Sequence, residues 1–230
     1  MENAPKRAFA RAHPVPHAER IPKPLVLRPE HLSDGPAREL RPGAWLVSAV
    51  AAEARIMTPT GPCPAGRLVP GECVLTLGAG ACRVLWTGRR CVTGAQLADS
   101  PNFGAVVVPE GAFGGGAPRR PLRLSPHAGV LVFPEGGPAE GVLVPARDLC
   151  GHAGITMAPA ATVTYVQLLL ERHAVIVADG LPVESFHPGA LDEGPWNCGL
   201  RAEILSVLPD LEHDLGLYGP EARGRATRRQ

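Results

Sequence analysis

Apolar residues in this chain come in short runs, and most of the runs end on proline or glycine. Arg55 to Thr58 is closed by Pro59-Thr60-Gly61, Val106 to Val108 stops at Pro109, and Val142 to Val144 stops at Pro145. Glu72 to Leu77 follows Pro70-Gly71, Arg83 to Thr87 is closed by Gly88, and Val130 to Phe133 stops at Pro134. Runs this short, rich in β-branched residues and bounded by turn formers, predict β-strands rather than helices. Leu122-Arg123-Leu124-Ser125 alternates apolar and polar, as a strand with one buried face does. Thr162 to Leu170 is the strongest strand signal; it resumes after Glu171-Arg172 as Ala174 to Ala178, which predicts a hairpin or a bent strand pair. Helical spacing, with apolar residues three or four apart, occurs only near the end, in Leu200–Leu208 and Leu211–Leu217.

Composition supports this picture. Gly and Pro number 27 and 26, nearly a quarter of 230 residues, which disfavours long helices. Apolar residues make up 45% but aromatics only 4%, so the core is expected to be mainly Val, Leu, Ile and Ala. Residues 1–43 are proline-rich and read as a leader, partly disordered, in which Pro24 to Leu27 is a candidate edge strand. Residues 44–189 read as one β domain, and residues 190–230 as a helical segment with a basic, solvated tail.

A net charge of +1 offers no field that would steer nucleic acid to the chain. No apolar run reaches the roughly 18 residues of a membrane span, and the first thirty residues lack a hydrophobic signal core. The chain is therefore expected to be cytoplasmic, or exported without an N-terminal signal peptide, and to be monomeric. Any partner would be a protein. Cys63, Cys73, Cys82, Cys91, Cys150 and Cys198 form no CxxC pair and read as buried or half-buried thiols rather than a metal site. No cofactor is implied. The Gly114-to-Arg120 loop lacks a P-loop ending and reads as a flexible hairpin loop.

Four segments carry a family resemblance. They are Thr58-Pro59-Thr60-Gly61 with Leu68-Val69-Pro70-Gly71-Glu72-Cys73-Val74-Leu75-Thr76, then Val84-Leu85-Trp86-Thr87-Gly88-Arg89-Arg90, then Leu122-Arg123-Leu124-Ser125-Pro126-His127, and last Thr162 to Gly189. In order and spacing this set resembles the bacterial Hedgehog/intein (Hint) family. The resemblance implies an all-β, horseshoe-like fold of short strands with pseudo-twofold symmetry. It also implies chemistry in which a cysteine thiolate attacks the carbonyl before it, turning an amide into a thioester, while a histidine helps the amide nitrogen leave.

The residues for that chemistry have changed. The family pattern opens C-F-x-x-G-T-x-I-x-T-P, which aligns its nucleophile with Ala49 and its next signature positions with Val50, Glu53 and Ala54. The histidine of the Ser-Pro-x-His turn aligns with Ala128, and His127 stands one residue early. Ser48, His127 and His173 are the vestigial catalytic candidates. The expectation is a degenerate Hint domain acting as a folded module. The alternative is active autoprocessing, by an N-to-O shift at Ser48 or an N-to-S shift at a displaced cysteine such as Cys63 or Cys73. A third reading, a metal- or ligand-binding β protein, would use the spare cysteines and histidines.

Overall fold

The computed structural model describes residues 32–33, 48–99, 103–159, 161–191 and 198–228. Pro24 to Leu27 lie outside the described residues. Strands run in chain order as β1 (Leu32–Ser33), β2 (Val50–Ala51), β3 (Arg55–Thr58), β4 (Gly61–Pro64), β5 (Cys73–Thr76) and β6 (Gly80–Val92). A short helix α1 (Gly94–Asp99) precedes β7 (Val106–Val108), β8 (Leu122–Leu124), β9 (Gly129–Val132), β10 (Val142–Pro145) and β11 (Thr156–Met157). Then come β12 (Val163–Leu170), β13 (Val175–Ala178), β14 (Leu181–Glu184), helix α2 (Cys198–Val207) and β15 (Thr227–Arg228).

All but β1 and β15 join one antiparallel sheet, in the order β10-β9-β14-β13-β5-β6-β12-β2-β8-β7-β11, with the β3–β4 hairpin attached to β13. The sheet curls because β6, 13 residues long, serves both halves. Its first residues pair with β5, and the rest pair with β12. Register slips between Leu169 and Leu170, so Leu85 stands as an extra residue in β6. A bulge of this kind bends a strand and tightens its twist. Each half then repeats one arrangement. A strand from the Thr162–Ala178 stretch (β12 or β13) is flanked by a short strand (β2 or β14), then by a two-stranded pair (β8–β7 or β9–β10). The all-β fold and the two matching halves agree with the sequence reading.

Four sequence expectations need correction. Gly88 does not end its strand; it pairs with Gln167 in mid-ladder. The Trp86 ring lies over it, and a Cβ at 88 would meet that ring at 2.1 Å, so glycine is there for close approach and not for a turn. The β12 and β13 strands are no hairpin, because β5 and β6 lie between them; the hairpin partner of β13 is β14, through the Asp179-Gly180 turn. Helix α1 was not predicted, although Thr93 and Gln96 form a capping box ahead of it: Thr93 N–H donates to Gln96 Oε1, and Gln96 N–H to Thr93 Oγ1. Residues 114–120 are no loose loop. Phe113 and Ala117 are buried, and Arg120 ion-pairs with Asp179 at 2.6 Å.

The main core is built of Val, Leu, Ile and Ala from both halves. A second cluster on the other face holds Trp86, Leu169, Phe186, Leu191, and Leu200 and Ile204 of α2. The last two lie one helical turn apart, which sets α2 against the sheet.

Candidate functional site

Register delivers the site. Val50 of β2 pairs with Leu124 of β8, so Ala49 lies opposite Ser125. Ser125 clasps it on both sides: Ala49 N–H donates to Ser125 Oγ at 3.0 Å, and Ser125 N–H donates to Ala49 O at 2.9 Å. The peptide bond between Ser48 and Ala49 therefore has its N–H held by a fully buried hydroxyl. The Ala49 side chain is 3% exposed and packs with Ala51, Val92, Leu97 and Tyr165. No sulfur or hydroxyl stands at that position.

Ser48 is buried, with φ at +42°, in the left-handed region that a residue with a Cβ rarely adopts. Its hydroxyl points at two carbonyl oxygens, of Glu184 at 3.3 Å and of Ser185 at 3.2 Å. A carbonyl accepts this proton but does not take it away, so in this arrangement Ser48 has no general base. A cavity of about 10 Å³, room for roughly one water, lies against Ser48, Ala49, Val166, Leu168 and Glu184.

His173 approaches from the loop between β12 and β13. Its Nδ1 accepts the Ala222 N–H at 2.9 Å, which puts the ring proton on Nε2. That nitrogen faces Ser185 O at 3.1 Å and Glu184 Oε2 at 3.5 Å. The structure thus brings Ser48 and His173 onto one carbonyl oxygen, that of Ser185. His187 packs edge-on against His173, ring centroids 5.0 Å apart. Burial lowers the pKa of His187, against the opposing pull of its bond to the Gly219 carbonyl.

His127 makes no hydrogen bond to the Ala49 amide, which is held by Ser125. It stands in the turn closed by Ala128 N–H to Ser125 O. Ala128, where the resemblance aligns a histidine, is a buried methyl in the main core. His127 is half-buried, and burial, helped by the nearby Arg147 cation, lowers its pKa to about 4. Its folded pKa lies below its ordinary 6.5, so the neutral ring contributes stability that is complete above pH 6.5 and is lost as pH falls toward 4. His127→Gln is expected to flatten the pH dependence of stability across that window. Urea unfolding at pH 7 and pH 4.5 checks it, and the same slope in both proteins would refute it.

Glu184 was absent from the sequence candidates, yet it is the most heavily bonded group here. Its side chain is fully buried. Gly129 N–H donates to Oε1 at 2.8 Å, and the Arg225 guanidinium pairs with both oxygens, Nη1 to Oε1 at 3.2 Å and Nη2 to Oε2 at 2.6 Å. Burial alone would raise the carboxyl's pKa; His173 and Arg225 outweigh it and hold it below its ordinary value. Arg225 thus corrects the expectation of a solvated basic tail. A lone glutamate in an apolar run was the available signal for Glu184, but nothing local distinguishes Arg225 from the other arginines of the tail.

Cys63 and Cys73 lie on β4 and β5, on the other half of the sheet from β2 and β8. No disulfide joins the six cysteines, and Cys91 and Cys198 are exposed rather than buried. Among the described residues no group of three or more His, Cys, Asp or Glu is arranged to hold a metal ion. No described helix is long and apolar enough to cross a membrane.

The family model described as "Hint domain" matches residues 48–190. Among solved structures, the crystal structure of the MchDnaB-1 intein is similar, at 12% identity and a TM-score of 0.40, covering 60% of this chain and all of that one. The solution structure of a bacterial intein-like domain from Clostridium thermocellum is similar at 15% identity and a TM-score of 0.41, covering 61% of this chain and 99% of that one. No curated protein matches the chain.

Proposed function

Starting from the fact that this chain belongs to the Hint domain family, we propose that it is a folded module that does not cleave its own backbone. The observation that carries the reading is Ala49: at the position aligned with the nucleophile stands a buried methyl group, with nothing to attack a carbonyl. Three further features support it. The Ser48 hydroxyl is donated to carbonyl oxygens, the position aligned with the histidine is a methyl group in the core, and His127 is not bonded to the Ala49 amide. The fold keeps the amide clasp of Ser125 while the groups that would use it are gone. Such a module acts through its surface, on a protein partner.

Intact mass tests this. The purified chain should remain a single 24.1 kDa species through prolonged incubation with added thiol or with hydroxylamine. Two fragments whose masses sum to the whole would overturn it.

One observation favours a second reading. The left-handed backbone of Ser48 is strain of the kind stored where a peptide is to be broken. In that reading the Ser48 hydroxyl attacks the carbonyl carbon of Val47. The C–N bond breaks, the hydroxyl proton passes to the freed nitrogen, and an ester joins the two parts. Hydroxylamine would then split the chain between Val47 and Ser48, so the same mass measurement separates the two readings.

A further inference from the structure

Gly129, His173 and Glu184 all lie in the family-matched stretch, but the cation that neutralises Glu184 comes from beyond it. Residues 221–226, Glu-Ala-Arg-Gly-Arg-Ala, lie along β10 as a bound peptide lies on a sheet edge. Leu143 N–H donates to Gly224 O at 2.8 Å, and Ala226 N–H donates to Leu143 O at 3.0 Å, a parallel bridge centred on Leu143 and Arg225. Addition of a strand to an exposed edge is a common way of recognising an extended peptide. Side-chain anchors add to the backbone contacts. Arg225 enters the Glu184 pocket, Ala226 is buried in the main core, and Ala222 N–H holds His173.

We propose that the β10 edge and the Glu184 carboxylate form a docking site for an extended, arginine-bearing peptide segment, and that residues 221–226 of this chain are its resident, releasable ligand. The pocket's geometry selects guanidinium over ammonium. Two carboxylate oxygens meet two Nη groups in a fork, while Nε is taken by Glu221 at 2.7 Å; an ammonium offers no such plane. The pocket is also built not to be filled from behind. A Cβ on Gly129 would stand 2.7 Å from the Glu184 carboxyl carbon, so only glycine lets the backbone N–H reach Oε1. An empty pocket would leave a buried carboxylate without its cation, a costly state that an incoming guanidinium would relieve. The proposal concerns docking alone and holds whether or not the chain cleaves itself.

Chemical rescue in the full chain tests it. Arg225→Ala removes the atoms that ethylguanidinium replaces. The variant should melt about 10 °C lower. Ethylguanidinium at roughly twentyfold excess over its dissociation constant should restore about half of that loss. Equal concentrations of ethylammonium or sodium chloride should restore none. Recovery with all three salts, or with none, overturns guanidinium selection. Should Arg225→Ala not fold, the double variant Glu184→Gln/Arg225→Ala, which removes the buried charge, should fold and ignore ethylguanidinium; a response from it would count against the pocket. Hydrogen exchange on the unaltered chain tests release. The amides of Leu143, Ala222 and Ala226 should open together, at least tenfold more often than those of Val166–Leu170. Equal protection in both sets would show that the segment does not undock as a unit.

Discussion

Replacing Glu184 by leucine is expected to lower unfolding stability by about 3–5 kcal/mol, the usual cost of removing one partner of a buried ion pair. The loss does not stop at the pair. Gly129 N–H would face an apolar side chain, and the Arg225 guanidinium would lose both carboxylate oxygens; each buried donor without an acceptor adds to the cost. Glu184→Gln should cost less, because its Oε1 can still accept from Gly129. The two variants also separate charge from shape through pH. In the wild type the folded pKa of Glu184 is lowered, so its stabilisation is complete above the ordinary value of 4.5 and is lost as pH falls through the folded value. The wild type should therefore lose stability below about pH 4.5 more steeply than Glu184→Gln. Urea unfolding between pH 3 and pH 7 measures both effects, and parallel curves for the two proteins would mean that the carboxylate is not the charged anchor described here.

Phe186→Ala should cost a similar amount, about 3–5 kcal/mol, for a different reason. The ring is fully buried, 5.9 Å from the Trp86 ring, in the cluster that also holds Leu200 and Ile204. Its removal leaves a cavity between the sheet and α2 that neither rigid face can close. The prediction is thus local as well as global. Amide exchange in α2 and at its C-terminal end, where Leu208 N–H is bonded to Ile204 O, should quicken ahead of that in β12. A loss below about 1 kcal/mol, or α2 protection unchanged, would show that the helix is held by something other than this cluster.

What the sequence disclosed and what it withheld follow the range of the forces involved. Strands β3, β7 and β10 begin and end close to where proline and glycine placed them, because φ restriction and a missing N–H act within a residue or two. Gly88 was misread because the ring lying over it acts through packing in the folded sheet, and β12 and β13 because a bend and a hairpin share one local pattern. At the site, Ser48, Ala49 and Ala128 were found by alignment with a known pattern. The Ser125 clasp, Glu184 and Arg225 were not. Ser48 reaches the Glu184 carbonyl across 136 residues of chain, and no local periodicity encodes such a meeting.

The long strand shared by both halves has a kinetic consequence. β6 ends at Val92, and the strand that completes it begins only at Val163, so its longest ladder waits for most of the domain to be synthesised. Until then its free edge is unsatisfied along most of its length, and the chain must close a large loop before that ladder returns any energy. Refolding from denaturant should therefore be slow for a domain of this size, and the nascent polypeptide should be most prone to self-association in the interval before β12 emerges.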